Sequence, residues 1–392
     1  MFRLFFMSQA LSFVGDGLRS VILPLFVYSL THSALSVGIT YATQAIPLIL
    51  TSIFGGYLAD RSDRKRIMLV SDFGRFATLA LLAILAATHA LNIVDIYVAV
   101  FFLAVLTALF QSCQAPSLAH LLAGKHMTSA VSSLQGAEQT TRILTYTVAG
   151  VVTQVFGIVP ALAINALAYF ISQLYLLFMP GVGPERKMLN AADDESAGPR
   201  LLSGFNYVLR HPTLRLFAIL SVGLNATGMM ETVVTIPWLK QLHHASNAEV
   251  GGFFSALSIA SIVGVALASR LSQYRFGTVF MILIIMHGLL FIPVVASSNF
   301  WVNLVFWCAT DLTGAAAATQ MISWRIRITP KDKVGRVIGA IRVLILIGSV
   351  PSAFLAGNLA QDSVSKVLVL VAVFYVVFGL VSIVPRMRAE AG

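Results

Sequence analysis

The sequence predicts an all-α integral membrane protein with twelve transmembrane helices in two pseudo-symmetric six-helix bundles. The composition is 58% hydrophobic and only 11% charged, with a mean hydropathy of +0.86, whereas soluble domains carry about 25% charged residues. The apolar residues fall into runs long enough to cross a bilayer, which takes about 20 residues each. Lys and Arg cluster at the ends of these runs, where they set the orientation of spans.

Twelve apolar runs are predicted as helices, and one long polar stretch separates the sixth from the seventh. We therefore expect an N-terminal bundle over residues 1–180, a linker over 181–212 and a C-terminal bundle over 213–392. The runs cover residues 3–29, 35–59, 67–90, 93–123, 131–157, 160–180, 213–237, 248–271, 277–297, 300–324, 334–358 and 364–385.

The second part of the linker has the pattern of an amphipathic helix. Leu201, Phe205, Val208 and Leu209 recur at near-helical spacing, with Arg200, Arg210 and Arg215 around them. Such a pattern predicts a helix that lies on the inner membrane surface.

The distribution of cations predicts the topology. Of the 26 Lys and Arg residues, 21 (Arg75 among them) are assigned to the inner side and two, Lys240 and Lys366, to the outer side, if the N-terminus is cytoplasmic. The net charge of +10 thus follows from topology and not from nucleic-acid binding. Both termini are expected in the cytoplasm of a prokaryotic plasma membrane, because cytoplasmic loops carry the excess of Lys and Arg.

A short basic loop, GGYLADRSDRKR at residues 55–66, lies between the second and third predicted helices. Its pattern G-x-L-A-D-R-x-x-R-K-R resembles the corresponding loop of the major facilitator superfamily. That resemblance implies alternating access and a loop that locks the cytoplasmic side shut; the alternative is a loop that only sets topology. The expected gating residues are Gly56, Asp60, Arg61, Arg64, Lys65 and Arg66.

The first segment, GDGLRSVILPLFVYSLTHSALSVGI, is similar to a subgroup of that superfamily, the macrolide-efflux and enterobactin-exporter type. Thr329-Pro330 followed by Gly335-Arg336 fits the same subgroup. One departure is Thr145-Tyr146 in the fifth helix, where drug-antiporter relatives carry Gly-Pro.

Ionisable residues inside spans are candidates for function, since each costs about 2.5–3.5 kcal/mol on insertion scales. Asp16 lies near the middle of the first helix with Arg19 at i+3, which predicts either a neutralised pair or a site for a proton or cationic cargo. Glu138 and Arg142 stand at i,i+4 and predict an ion pair, structural or gating. Arg342 has no acid within one turn on its own helix.

Glu231 and Asp311 are isolated acids on the seventh and tenth predicted helices. Desolvation penalises their charged forms, which favours exchange of a proton. Asp311 is the first choice for the proton site, Asp16 the second, and Glu231 and Glu138 are further candidates; Glu231 could instead be solvated at the outer end of its helix. Asp311 is also the expected partner of Arg342.

Polar and aromatic residues at matching depths predict a cavity for an amphipathic molecule, although each could instead bond helix to helix. They are Gln44, Gln111, Gln114, Tyr146, Asn225, Trp307 and Gln320. No nucleophile elbow, phosphate-cradling loop or metal-spaced cluster occurs, so no enzyme activity, cofactor or metal is predicted.

Together these features predict a monomeric secondary transporter that exports amphipathic, drug-type small molecules by alternating access, with proton-coupled antiport. Its expected partners are the substrate, protons and membrane lipid, and not nucleic acid. Alternatives are export of a siderophore or another endogenous metabolite, and a lipid-handling or sensor protein on the same scaffold.

Overall fold

The computed structural model describes residues 2–61, 63–122, 127–179, 197–330 and 333–382, and every regular element in these ranges is an α-helix. The helices are α1 (Phe2–Thr31), α2 (Ala34–Arg61), α3 (Arg64–Ala87), α4 (Ile93–Leu122), α5 (Met127–Val155), α6 (Ile158–Leu177), α7 (Ala197–Arg210), α8 (Pro212–Leu242), α9 (Asn247–Leu271), α10 (Phe276–Ala296), α11 (Phe300–Ile328), α12 (Val334–Asp362) and α13 (Val364–Val381).

The predicted all-α membrane fold is confirmed. Each of the twelve apolar runs coincides with one helix, the shortest being α13 at 18 residues and the longest α8 at 31. Within the described ranges, ten helices are long and apolar enough to cross a bilayer. The other two long helices, α5 and α11, carry more polar residues along their length.

The amphipathic helix of the linker is α7. Its apolar face packs into the protein: Val208 is buried in one cluster with Leu214 and Val337, and Phe205 is partly buried against it. Leu209 is exposed, and the side chain of Leu201 lies outside the described residues. The helix therefore presents only part of its apolar face outward.

The chain divides into two compact units. Unit 1 comprises Met1–Leu30, Thr43–Arg200 and Asn247–Gly252, and unit 2 comprises Thr31–Ala42, Leu201–Ser246 and Phe253–Gly392. In unit 1, α3 packs against α6 and α4; in unit 2, α10 packs against α13 and α11, and α8 against α12. The boundaries expected from the polar linker stay a prediction.

The assignment of Arg75 to the inner side is wrong. Arg75 lies in the middle of α3 and is fully buried, as is Asp72 one turn earlier. The third predicted helix, over residues 67–90, contains Arg75, so the burial of this side chain places it with the cations inside spans. Without Arg75 the inner side keeps 20 of the 26 cations, and the expected orientation is unchanged.

Candidate functional site

Unit 1 contains a group of paired charges, the arginine cluster, made of Asp16, Arg19, Asp72, Arg75 and Tyr169. The predicted pair on α1 is present, with 3.1 Å between Arg19 Nη2 and Asp16 Oδ1. The Tyr169 hydroxyl, from α6, donates to the same Asp16 oxygen at 2.8 Å. Asp16 is thus held on two sides.

Arg75 forms the buried centre of the arginine cluster. Its guanidinium pairs with Asp72 and lies 3.7 Å from Asp16. The same group stands over the rings of Phe110 at 4.3 Å and Tyr169 at 4.5 Å, and aromatic faces attract cations. Two acids and two arginines leave the cluster neutral, which suits a structural framework.

Sequence reasoning missed Asp72 and the role of Tyr169. A signal for Asp72 was present, because Asp72 and Arg75 repeat the i,i+3 spacing of Asp16 and Arg19. No comparable signal marks Tyr169, since its partner lies on another helix.

The predicted pair on α5 is absent from the structure. Glu138 is half-buried and Arg142 is exposed, and no ion pair joins them in the part of the chain that is described. Partly exposed side chains gain little from pairing, because the lost side-chain entropy offsets a weak attraction.

Unit 2 contains a cavity of about 460 Å³, the acidic cavity, among α8, α9, α10, α11, α12 and α13. Its volume lies within the range of about 300–1,000 Å³ found for small-molecule sites. Most of the lining is apolar. The polar side chains that could orient a ligand are Asn225, Glu231, Thr232, Ser261, His287, Asp311, Ser349 and Tyr375.

Glu231 is fixed in the wall of this cavity. The indole Nε1–H of Trp307 donates to Glu231 Oε1 at 2.8 Å, and the Tyr375 hydroxyl donates to Oε2 at 3.5 Å. His287 Nε2 lies 3.8 Å from Oε2, too far for a hydrogen bond. Neither ring nitrogen of this buried histidine has a hydrogen-bond partner among the described residues.

Asp311 lines the same cavity, but no described side chain donates a hydrogen bond to it. Across the described ranges its carboxylate makes no hydrogen bond and no ion pair. The predicted lack of a neighbouring Lys or Arg agrees with the described lining, but the sequence did not indicate that α8 and α11 bring Glu231 and Asp311 to one cavity.

No Lys or Arg is among the residues that line the acidic cavity in the described structure. The predicted pair between Arg342 and Asp311 is wrong: Arg342 is exposed on α12 and belongs to no ion pair of the described residues. The pair was predicted because Arg342 and Asp311 lie at similar depths in the membrane. Contact also requires that the two side chains lie on helix faces that point toward each other. His287 was missed; its signal was that it is the one ionisable residue of the very apolar α10.

Of the residues predicted to line a cavity, only Asn225 lines this one. Trp307 is fully buried behind Glu231, and Gln320 is buried and donates to the Ala268 carbonyl at 2.8 Å. The remaining four lie in unit 1: Gln44, Gln114 and Tyr146 are half-buried, and Gln111 is exposed.

Gly56, Asp60 and Arg61 of the basic loop belong to the end of α2, where the side chains of Asp60 and Arg61 lie outside the described residues. Lys65 Nζ donates to the Leu177 carbonyl at 3.0 Å and to the Met179 carbonyl, at the C-terminal end of α6. Arg64 donates to the Pro116 carbonyl of α4 at 3.4 Å. These two cations tie the start of α3 to its neighbours in unit 1, whereas Arg66 is exposed.

The family model described as Major Facilitator Superfamily matches residues 5–294 and 218–392. Among curated proteins, the uncharacterized MFS-type transporter YfiS of Bacillus subtilis strain 168 is 25% identical, with 98% of this chain and 93% of that protein covered. Enterobactin exporter EntS of Shigella boydii serotype 18 is 23% identical, with coverage of 91% and 85%. These relatives agree with the subgroup resemblance of the first segment.

Solved structures with the same fold include the nucleoside transporter NupG, with a TM-score of 0.79, 16% identity and coverage of 98% of this chain and 99% of that one. A bacterial homologue of the iron transporter ferroportin, in an inward-facing state, gives a TM-score of 0.76 at 13% identity, with coverage of 97% and 98%. At such identities the likeness concerns the fold alone.

Proposed function

This chain belongs to the major facilitator superfamily, and we propose that it is a secondary transporter that exports amphipathic small molecules in exchange for protons. It is a multi-pass membrane protein and not an enzyme, as its family and its transporter relatives indicate. The cargo class, the direction and the coupling to protons are the proposal.

The observation that carries the proposal is the charge imbalance of the acidic cavity. Glu231 and Asp311 share it without a lining Lys or Arg, whereas each acid of the arginine cluster has an arginine within reach. Two carboxylates that are both ionised in a low-dielectric cavity repel each other, and binding of a proton or an organic cation relieves that repulsion.

Asp311 is the better proton site of the two. Both carboxylate oxygens of Glu231 already accept hydrogen bonds, from Trp307 and Tyr375, so a proton bound there would compete with a donor. Asp311 has no such donor, so protonation costs it no hydrogen bond. A carrier needs a group that changes protonation between its access states.

The apolar remainder of the cavity wall suits the hydrophobic part of an amphipathic cargo. The lining includes Leu224, Met229, Phe280, Ile284 and Met321. Apolar lining with a few polar groups is the usual composition of a small-molecule site.

The test is transport in proteoliposomes with an imposed pH gradient, with ethidium as a cationic amphipathic probe. We expect gradient-driven ethidium movement by the parent protein, and its loss in Asp311→Asn. The matched control is Asp362→Asn, which changes an exposed acid at the end of α12 and should leave transport unchanged.

Asp16→Asn completes this comparison. Retained gradient-driven transport in Asp311→Asn with loss in Asp16→Asn would reverse the ranking of the two sites. Retention in both variants would remove both carboxylates from the coupling mechanism.

Export of a siderophore or another endogenous metabolite is the second candidate, favoured by the similarity to proteins named enterobactin exporters. The same proteoliposomes, loaded with enterobactin in place of ethidium, distinguish the two. Movement of enterobactin without movement of ethidium would favour the second candidate.

A further inference from the structure

A second cavity, of about 310 Å³, lies within unit 2 between α7 and the start of α12. We call it the basic pocket. Its polar lining comprises Ser203, Asn206, Tyr207, Arg210, Lys333 and Arg336. It shares no residue with the acidic cavity, and the proposed transport mechanism does not use it.

Among the described residues, the basic pocket concentrates positive charge without a counterion. Arg210, Lys333 and Arg336 all line it, and no acidic residue does so in the described structure. None of the three forms an ion pair with another described residue. Like charges held this close repel one another, and an anion that enters the pocket removes the repulsion.

The backbone adds further donors at the same place. Lys333 is the N-cap residue of α12, and its side chain makes no capping hydrogen bond. The first N–H groups of a helix lack partners inside the helix and favour negative charge. The basic pocket therefore combines side-chain cations with a helix N-terminus, and Ser203 and Asn206 supply uncharged polar groups beside them.

The walls of the basic pocket are held in place by packing. At Gly204 of α7, a Cβ atom would come within 2.4 Å of the Arg336 carbonyl oxygen, so the two helices approach here as closely as glycine permits. Beneath this contact Val208 is buried with Val337. Lys333 Nζ stands 4.5 Å from the centre of the Tyr207 ring, which orients the ammonium group.

We propose that the basic pocket binds a phosphate group, either of an anionic phospholipid headgroup or of a free phosphate. Arg and Lys together with backbone N–H groups form the usual donor set for phosphate. Basic pockets beside transmembrane helices on the cytoplasmic side bind anionic headgroups, and the charge distribution predicts that this surface is cytoplasmic. A bound phosphate would bridge α7 to α12.

The experiment measures the thermal unfolding midpoint of the purified full chain in neutral detergent. Three titrants are compared: a short-chain phosphatidylglycerol, a short-chain phosphatidylcholine and inorganic phosphate. The variants are Lys333→Gln, Arg336→Gln and the double variant, and the matched control is Arg270→Gln, an exposed cation outside the basic pocket. Arg336→Lys tests whether charge alone is enough.

We expect phosphatidylglycerol to raise the midpoint of the parent and of Arg270→Gln. In the double variant the concentration needed should rise about tenfold or more, because two charge-assisted contacts are lost. Without titrant the double variant should unfold at or above the parent midpoint, which excludes a folding defect as the cause. A response to phosphatidylglycerol alone assigns the site to lipid, and a response to inorganic phosphate as well assigns it to the free anion.

Two results would overturn the proposal. One is a midpoint shift by phosphatidylglycerol that is the same in the parent and in the double variant. The other is the absence of a shift with both phosphatidylglycerol and inorganic phosphate.

Discussion

The side chain of Arg75 has no exposed surface, yet it carries a full positive charge. Its Nε and Nη1 atoms make no hydrogen bond within the described structure. Its positive charge is therefore balanced by Asp72 and Asp16 and by the two aromatic faces. A buried charge that loses its partner is strongly destabilising. Arg75 therefore has a larger effect on stability than any exposed cation of the chain.

We expect Arg75→Gln to lower the free energy of unfolding by about 3–5 kcal/mol, because Asp72 is left buried without its counterion. Thermal or denaturant unfolding of the purified protein in detergent measures the change. Arg142→Gln, at an exposed position on α5, serves as the control and should be nearly neutral. An unchanged stability of Arg75→Gln would mean that Asp72 takes up a proton in place of its partner.

At the scale of residues, the sequence reveals pairs on one helix better than pairs across helices. Asp16 and Arg19 were predicted from i,i+3 spacing. The Ser172 hydroxyl donates to Asp72 at 2.7 Å, although the two residues are 100 positions apart in the sequence. No sequence pattern predicts such a contact. Periodicity predicts which face a side chain occupies but not which helix lies opposite.

At the scale of elements, Lys65 joins the start of α3 to the end of α6. Its ammonium group donates to carbonyls beyond and within the last turn of α6, where the last carbonyls of a helix lack intrahelical partners. The positive charge also complements the negative end of the α6 dipole. A cation of the basic loop thus stabilises unit 1 directly, apart from any gating role.

We expect Lys65→Met to destabilise the protein by about 1–2 kcal/mol, since two charge-assisted hydrogen bonds are lost at a partly exposed site. Arg66→Gln is the matched control. Arg66 is 85% exposed, and its one ion pair among the described residues is with Asp63 at 3.4 Å, so its replacement should change the unfolding free energy by less than about 0.5 kcal/mol. Equal effects of the two changes would contradict the proposed helix-end contact.

The helices themselves were predicted well because apolar runs and membrane thickness define them. Their ends were predicted less well where a helix continues past its apolar run. The seventh run was expected to end at residue 237, at a proline, but α8 extends to Leu242. The tenth was expected to end at residue 324, and α11 continues through Arg325 and Arg327 to Ile328. Polar helix ends have no hydropathy signal.

At the scale of the whole molecule, the charge distribution predicts which loops face outward. The loop between α10 and α11 should be external, and the loop between α9 and α10 should be cytoplasmic. We expect Ser298→Cys to react with a membrane-impermeant thiol reagent added to intact cells, and Gln273→Cys to react only after permeabilisation. Both positions are exposed.

The background for this labelling should lack Cys113 and Cys308, the two native cysteines. Ser298 is preferable to Asn299, because the Asn299 side chain accepts from the Trp301 and Val302 amides and caps α11; loss of a cap costs about 1 kcal/mol. The reverse labelling pattern, in variants that still transport, would invert the predicted topology.

The acidic cavity brings together residues whose proximity cannot be predicted from their order along the chain. Its ionisable groups come from four helices, since Glu231 lies on α8, His287 on α10, Asp311 on α11 and Tyr375 on α13. The sequence identified two of these groups as candidates for the same role. Their common location follows only from the packing of unit 2.

The hydrogen bond from Trp307 to Glu231 should make binding in the cavity detectable by tryptophan fluorescence. Indole emission responds to a nearby charge, and Trp307 lies 2.8 Å from the carboxylate oxygen and 4.9 Å, ring to ring, from Trp238. Uptake of a proton or a cationic cargo should therefore change the intrinsic fluorescence of the unlabelled protein, and Trp307→Phe should remove that change. Occupancy of the cavity could then be followed in real time with no reporter added to the protein.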